Sequence, residues 1–381
     1  MKKTLIALAV LGAAAGVAHA QSNVTIYGIV DTGFIKKSGQ DVYMGENVNN
    51  RLGFRGVEDL GSGMKATFEL ERRFNLNNGS SKEKHVKQGT KYQDWDGLAN
   101  VGLKGDAWGA VRLGVVNELT TETIRKFDPF YQYGVAGMIE GTQRSRAIED
   151  TIRYDSPNWN GFYFGATYSL GQNTDPDSAK WTGTVDENNQ PVETPVWQAK
   201  TEGNGYDNDG YGIMLGYDNG PLALVGNWSR LADSKDSSVW NLGAAYRFGD
   251  AKVELLYQQT KDKGWYKGEV ADWKTAAEAG RYRDVNELKE KQWLLGLEWK
   301  LGPGRLNASA QWMEVEAEGG VHVSDKDIYK YGIGYTYNLS KRTDIYGMIA
   351  YTDYDDEEVA AVFGDAEDSV TAVQVGITHK F

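Results

Sequence analysis

The side chains that could do chemistry in this sequence are charged rather than nucleophilic. Only His85, His322 and His379 follow residue 20, they lie far apart, and the sequence holds no cysteine. A zinc site or a catalytic triad needs such residues in a cluster, so neither is indicated. Acidic runs such as 353–358 lack the glycine and terminal glutamate spacing of a calcium loop, and a solvated acidic loop is the simpler interpretation. The sequence therefore predicts no catalytic residue, no metal and no cofactor, and it leaves electrostatics as the available chemistry.

Five arginines lie out of phase with the apolar residues of their segments. They are Arg51, Arg55, Arg73, Arg112 and Arg153. Arg112, for example, stands between Val111 and Leu113. Successive side chains of a strand point to opposite faces, so each of these arginines is predicted on a polar face that lies opposite an apolar one.

The elements that would carry these arginines are strands. Residues 64–74 read MKATFELERRF, and residues 329–339 alternate Tyr, Ile and Leu with Lys, Gly, Thr and Asn. Pattern matching along the chain gives about 16 such strands. Seven turns rich in Gly, Asn, Asp or Pro alternate with long polar segments. No run of 18 apolar residues follows residue 20, which excludes a helical membrane protein.

The alternating lengths of the connections predict the fold class. Short turns at one end and long loops at the other are typical of an all-β, transmembrane antiparallel β-barrel with periplasmic turns and extracellular loops. Membrane insertion also explains the two-faced strands, because a closed sheet pairs every backbone group while side chains alternate between lipid and lumen. Aromatic residues near the inferred strand ends, among them Tyr27, Trp159 and Trp299, fit interfacial girdles. A secreted soluble all-β protein is the alternative.

Residues 1–20 have the pattern of a secretory signal peptide. Lys2 and Lys3 precede an apolar run, and small residues lead to Ala20, so cleavage is predicted between Ala20 and Gln21. An uncleaved N-terminal anchor is the alternative. The remaining residues 21–381 show no linker and are predicted to form one barrel domain. Their net charge would be −14 (39 basic against 53 acidic residues) instead of −12, which argues against a nucleic-acid partner.

Six short segments carry a resemblance to a known family. They read VTIYGIVD (24–31), RLGFRGVEDLG (51–61), VGLKGD (101–106), RYDSPN (153–158), LSKRTD (339–344) and VGITHKF (375–381). Together they resemble the general porins of Gram-negative outer membranes, of the type found in beta-proteobacteria and Neisseria. The resemblance implies a 16-stranded barrel in the outer membrane, surrounded by its lipids and lipopolysaccharide, and a homotrimer. It also implies that the C-terminal Phe381 is the signal read by the barrel assembly machinery.

The same resemblance implies a water-filled channel narrowed by charge. In similar porins the third long loop folds into the pore and presents acidic groups opposite arginines of the wall. Here that loop is roughly 118–146, and its candidate acidic residues are Glu118, Glu122, Asp128 and Glu140. A loop that lies outside the barrel is the alternative.

The arginines of the wall depart in part from the family pattern. Arg51 matches the first wall arginine, whereas Gly97 and Ala147 stand where the family usually has two others. Strand phase offers replacements, so Arg51, Arg73 and Arg112 are predicted to supply most of the positive side of the constriction, with Arg55 and Arg153 on the same wall. The equally weighted alternative is that these arginines are ordinary lumen charges. Their partners would then be Glu69, Glu71 and Glu149.

Three functions are compatible with the sequence. The first is passive diffusion of ions and small hydrophilic solutes, with selectivity set by charged rings. The second is a substrate-specific channel, for organic anions or sugars. The third, an outer-membrane enzyme, is disfavoured by the dispersed histidines. The preference for anions or cations stays open at this point.

Overall fold

The structure of the protein, a computed structural model, describes residues 23–82, 84–86, 89–91, 94–139, 147–171, 180–181, 197–198, 208–232, 237–263, 287–318, 326–355, 357–362, 365 and 367–381. Sixteen long strands and the short strand Tyr43–Gly45 form one antiparallel sheet. The long strands, numbered in chain order, are β1 Asn23–Lys37, β2 Arg51–Gly61, β3 Met64–Arg73, β4 Leu98–Gly105, β5 Gly109–Asn117, β6 Ala147–Asp155, β7 Phe162–Ser169, β8 Gly210–Asn219, β9 Leu222–Arg230, β10 Ser238–Phe248, β11 Ala251–Lys263, β12 Glu287–Leu301, β13 Gly304–Glu318, β14 Lys326–Asn338, β15 Thr343–Tyr354 and β16 Ser369–Lys380.

The sheet closes on itself through its first strand. β1 pairs with β2 along one edge, where Tyr27 lies opposite Gly53, and with β16 along the other, where Asp31 lies opposite Thr378. Every other strand pairs with the strands before and after it in the chain. The predicted antiparallel β-barrel of about 16 strands is therefore confirmed.

The connections alternate in length, as the sequence predicts. Seven tight turns, such as Ser62-Gly63 between β2 and β3, join strands at one end of the barrel. Several of these turns need a left-handed backbone, and Gly220, Gly249 and Gly302 each have φ near +60°. The longer connections lie at the opposite end.

The two faces of the wall differ in chemistry. In β8, Ile213 and Leu215 are 57% and 68% exposed, whereas Met214 between them is 7% exposed. The same alternation gives Leu52, Val101 and many others an exposed apolar side chain. Apolar groups point outward because their solvent is lipid, and polar groups point inward because their solvent is water.

The connection between β5 and β6 contains helix α1, Leu119–Phe127. The helix begins after Glu118, whose side chain accepts hydrogen bonds from the amides of Thr120 (2.7 Å) and Thr121 (3.2 Å). It ends before Asp128-Pro129, since proline provides no amide to continue it. The apolar side of α1 packs on one patch of the wall. That patch consists of Met214, Val225, Ala245, Leu256 and Leu294.

A few smaller elements complete the described chain. Lys84–Val86 pairs with Gly89–Lys91, and Lys180–Trp181 pairs with Trp197–Gln198. A second helix, α2 (Glu357–Val362), follows β15. Within the described residues, neither helix is long and apolar enough to cross a bilayer.

Candidate functional site

The candidate site is the charged inner face of the barrel next to residues 119–139, the loop segment. Inward-facing amide side chains of the wall bind the backbone of this segment. Asn241 donates to the Thr120 carbonyl (3.1 Å), Asn307 donates to the Pro129 carbonyl (2.6 Å), Gln311 accepts from the Ile139 amide (2.7 Å) and Gln374 accepts from the Val135 amide (3.0 Å). The loop segment therefore contacts the inner face of β10, β13 and β16.

Two arginines contact Tyr133 of the loop segment, and a third, Arg73, lies opposite one of them. Arg51 Nη2 donates a hydrogen bond to the Tyr133 hydroxyl oxygen at 3.2 Å, and the Arg125 guanidinium carbon lies 5.7 Å from the centre of its ring. Burial alone would raise the pKa of the Tyr133 hydroxyl, but Arg125, Arg51 and Arg73 together lower the pKa below its ordinary value. The potential at this hydroxyl is therefore positive.

Register explains how two of these cations come together. Arg51 of β2 lies directly opposite Arg73 of β3. Such a like-charged pair needs a counter-charge, and Glu71 provides it, 3.1 Å from Arg73 Nη2 and 3.7 Å from Arg51 Nη1. The Tyr27 hydroxyl donates to Glu69 (2.9 Å) and Glu71 (3.3 Å), so Tyr27 faces inward. Its assignment to an interfacial girdle is wrong, because its register puts it in phase with the polar face.

Arg112 and Arg153 form a second group on β5 and β6, where they lie opposite each other. Arg153 contacts Glu122 of α1 at 2.6 Å and Asp155 at 2.8 Å, and Arg112 contacts the same Asp155 at 2.5 Å. Arg153 Nη1 also donates to the Asn117 carbonyl at 2.7 Å. Two cations and two carboxylates therefore balance here, and the group ties the start of α1 to the wall.

Arg55 is the most exposed of the predicted wall arginines. It lies on the inward phase of β2, and its guanidinium carbon is 5.2 Å from the centre of the Tyr27 ring. The five predicted wall arginines therefore fall into three environments. Arg51 and Arg73 lie next to each other beside the loop segment, and Arg112 and Arg153 form ion pairs with carboxylates. Arg55 lies over the ring of Tyr27.

Two of the predicted acidic residues of the loop do not present charge to the lumen. Glu118 is 1% exposed and caps α1, and its carboxylate also accepts from the Ser229 hydroxyl. Asp128 is 0% exposed and accepts from the amides of Phe130 (2.9 Å), Gln132 (2.8 Å) and Met138 (2.9 Å). Burial raises the pKa of both carboxyl groups. The prediction that these two carboxylates face the pore is wrong, because their oxygens accept hydrogen bonds from backbone amides of the loop. Glu122 forms the ion pair with Arg153 described above. Glu140 lies outside the described residues.

Sequence reasoning did not identify a third charged group, which lies on the inner face of β11, β12 and β13. Lys252 contacts the carboxylates of Glu254 and Glu298, and Arg305 lies 3.3 Å from Glu298. The Tyr131 hydroxyl of the loop segment donates to Glu298 at 3.2 Å and accepts from Arg305 at 3.2 Å. Alternation in β11 and β12 puts these charges on the inward phase and could have identified them. Nothing in the sequence indicates that Tyr131 reaches them.

The fold and the site together define a class of protein. A closed 16-stranded barrel with an apolar outer face and a charged inner face is the architecture of an outer-membrane channel. Within the described part of the chain, no group of His, Asp or Glu residues could hold a metal ion.

Comparisons with known proteins specify the class further. The family model described as Gram-negative porin matches residues 7–357. An outer membrane porin protein of Bordetella pertussis is 31% identical, with all of this chain and all of the relative covered. The solved structure of the anion-selective porin from Comamonas acidovorans aligns with a TM-score of 0.67 and 26% identity, over 94% of this chain and 100% of the other. OmpT of Vibrio cholerae, in a structure titled as a trimer form, aligns with a TM-score of 0.62 and 15% identity, over 94% and 99%.

The chain belongs to the family of Gram-negative porins. It is an outer-membrane protein that forms a channel for the passive diffusion of solutes.

Proposed function

We propose that the channel prefers anions, and that Arg51, Arg73 and Arg125 set this preference where the loop segment narrows the lumen. Passage through it requires no chemical step. The observation that carries the proposal is the contact of Arg51 and Arg125 with Tyr133, with Arg73 opposite Arg51 and with Glu71 as the carboxylate that contacts Arg51 and Arg73. Fixed charge at the narrowest point of a channel sets which ions pass.

The balance of charge in the other groups supports the same sign. Arg112 and Arg153 are matched by Glu122 and Asp155, and Lys252 and Arg305 are matched by Glu254 and Glu298. These groups fix the loop segment to the wall and add little net field. The Tyr133 group has a surplus of cations, whereas Arg55, on the same strand as Arg51, lies opposite Glu69 of β3.

One relative supports the sign as well. The Comamonas acidovorans porin with which this chain aligns along nearly its whole length is named as anion-selective. Selectivity can differ among related porins, so the proposal depends on the arginines of this chain rather than on that name.

The proposal is tested by neutralising Arg51 and Arg125 together, as Arg51→Gln and Arg125→Gln. In planar bilayers under a salt gradient, the reversal potential of the purified protein should indicate anion preference. The double variant should reduce the anion-to-cation permeability ratio by about twofold or more, because two of the three charges near Tyr133 are gone.

The matched control is Arg72→Gln, which removes a charge from the outer face of β3, where Arg72 lies 3.8 Å from Asp94. It should leave the reversal potential unchanged. A cation-preferring wild type, or an equal shift in the double variant and the control, would overturn the proposal. Conductance that rises in proportion to salt supports diffusion, whereas saturable block by one solute would favour a substrate-specific channel.

We also infer that the protein assembles as a homotrimer and that residues 1–20 are removed before assembly. The aligned structure of OmpT from Vibrio cholerae is described as a trimer form, which supports the first inference. The mass of the unheated protein in detergent should be three times that of the heated protein.

N-terminal sequencing of the outer-membrane form should begin at Gln21, and a start at Met1 would contradict the second inference.

A further inference from the structure

The two strands that carry the loop segment leave the barrel wall at one irregular point. On its periplasmic side, β5 pairs with β4 as far as Val115, and β6 pairs with β7 as far as Thr151. On its other side, within the described residues, 116–117 and 147–148 pair only with each other. The two strands therefore change here from a part of the sheet to a separate two-stranded ribbon, and the loop segment begins just after that ribbon.

The irregular point is a β-bulge in β6. The ladder steps from the pair Gly114–Thr151 to the pair Val116–Ile148, which is a step of two positions on β5 and of three on β6. The extra residue of β6 comes with a left-handed backbone at Asp150, whose φ is +49°. A bulge bends its strand and increases the local twist, so it can turn the ribbon away from the direction of the wall. This feature is the β6 bulge.

Both neighbouring strands hold the β6 bulge in place. Asn100 of β4 donates from its side-chain amide to the Val115 carbonyl at 3.2 Å. On the other side, the amide of Leu170, the residue after β7, donates to the Asp150 carbonyl at 3.0 Å. Asn100 is 7% exposed, so its hydrogen bond is shielded from water. The bulge is thus fastened to the wall at two points, one on each side of the ribbon.

A glycine on the opposite strand accommodates the shift of register. Gly114 has a φ of +120°, which other residues rarely adopt. A Cβ atom there would collide with the Ala99 carbonyl oxygen of β4. Any other side chain at this position would push β5 away from β4, so the close packing of the wall beside the bulge depends on glycine.

We propose that the β6 bulge positions the loop segment inside the lumen and that Asn100 and Asp150 are its positioning residues. The bulge turns the ribbon inward, and the ribbon brings Glu118, the cap of α1, to the inner face of the wall. With a regular ladder, β5 and β6 would continue along the wall and would carry the loop outward. This inference rests on the proposed role of the loop segment as the narrow part of the channel.

Deletion of Asp150 tests the proposal, because it leaves one residue of β6 opposite Val115 and makes the ladder regular. In planar bilayers, the single-channel conductance of the purified variant should rise about twofold or more. Its anion-to-cation permeability ratio should move toward one. Asp150→Gly is the matched control, because it keeps the length of β6 and adopts the left-handed backbone readily. Its conductance and reversal potential should equal those of the wild type.

Spin labels measure the position of α1 directly. The sequence holds no cysteine, so Lys126→Cys with Asp218→Cys places two labels selectively. Lys126 lies over the Tyr163 ring, 5.6 Å from its centre, and Asp218 comes two positions after Gly216, the register partner of Tyr163. The distance between the labels should therefore be short in the otherwise wild-type protein. After deletion of Asp150 it should lengthen by about 10 Å, the diameter of a helix, because α1 leaves the wall.

Asn100→Leu tests the same point without a change of chain length, so it decides the matter if the deletion variant does not fold. Loss of the donor to the Val115 carbonyl should broaden the distribution of label distances and make the open-channel current noisier. Asn100→Ser, which keeps a donor group, should have a smaller effect.

Unchanged label distances and conductance in the folded deletion variant would overturn the proposal, as would a wild-type distance distribution in Asn100→Leu. A wild type that prefers cations would overturn the proposed function and leave this inference standing, because the label distance reports the position of α1 for either sign of selectivity.

Discussion

At the scale of single residues, the ionisation of Tyr133 should change the selectivity of the channel. Burial opposes its ionisation, but the three nearby arginines lower the pKa of its hydroxyl below the ordinary value of about 10. The phenolate therefore forms as pH rises through a range below 10, and it adds a negative charge beside Arg51 and Arg125. We expect the preference for anions to fall as pH rises toward the ordinary tyrosine value, measured as the reversal potential in a salt gradient.

The control for this prediction is Tyr133→Phe. It keeps the ring that Arg125 overlies and removes the hydroxyl that titrates. All other titratable groups are the same in both proteins, so the difference between the two curves isolates Tyr133. Superimposable curves for wild type and variant would contradict the assignment of Tyr133 to the positive group.

Asp128 should hold the turn that follows α1. Its buried carboxylate accepts hydrogen bonds from three amides, those of Phe130, Gln132 and Met138. Asp128→Ala leaves these donors without their acceptor, and we expect the free energy that keeps the turn closed to fall by at least about 2 kcal/mol. Faster amide hydrogen exchange in residues 128–139 and a noisier open-channel current should follow. Asp128→Asn, which keeps one carbonyl oxygen, should have a smaller effect, and wild-type exchange in the alanine variant would argue against this role.

At the scale of elements, the position of α1 should depend on one inward-facing glycine. A Cβ atom at Gly243 of β10 would lie 2.8 Å from the Phe127 ring, so the helix is as close to the wall as the backbone allows. Gly243→Ala should push α1 away from the wall and toward the lumen, at a cost of about 1–3 kcal/mol. We expect a lower single-channel conductance with the sign of selectivity unchanged.

The matched control is Gly226→Ala on the adjacent strand. Its added methyl group points outward, where it would meet only Leu242, so conductance and thermal stability should stay near the wild-type values. Equal conductance in the two variants would mean that α1 is not held by contact with Gly243.

The wall elements were largely predictable from sequence, and the contacts of the loop were not. A two-residue period identifies which face of β2 or β5 carries Arg51 or Arg112, because strand geometry fixes that phase locally. It gives no information on which charges meet across the barrel. The pairing of Arg153 with Glu122, and the burial of Asp128 under its own turn, depend on a loop conformation set by contacts between residues distant in sequence.

At the scale of the whole molecule, Phe381 should contribute to closure of the barrel as well as to any recognition by the assembly machinery. Its amide donates to the Gly28 carbonyl and its carbonyl accepts from the Gly28 amide, both at 3.1 Å. Deletion of Phe381 removes both bonds, and protein refolded in detergent should lose about 1–3 kcal/mol of stability. Phe381→Ala keeps the backbone pair and should lose less. If the two variants unfold at the same temperature after refolding, the backbone hydrogen bonds between Phe381 and Gly28 do not contribute to closure.

The hydrogen bond between the Val135 amide and Gln374 also couples the loop segment to closure of the barrel. The two residues are 239 positions apart, and Gln374 lies on β16, the strand that closes the sheet against β1. A chain in which β1 and β16 are not yet paired has no enclosed lumen for the loop segment to narrow. A partly assembled chain is therefore an open sheet rather than a wider leak, and the narrow part of the channel requires the closed wall around it.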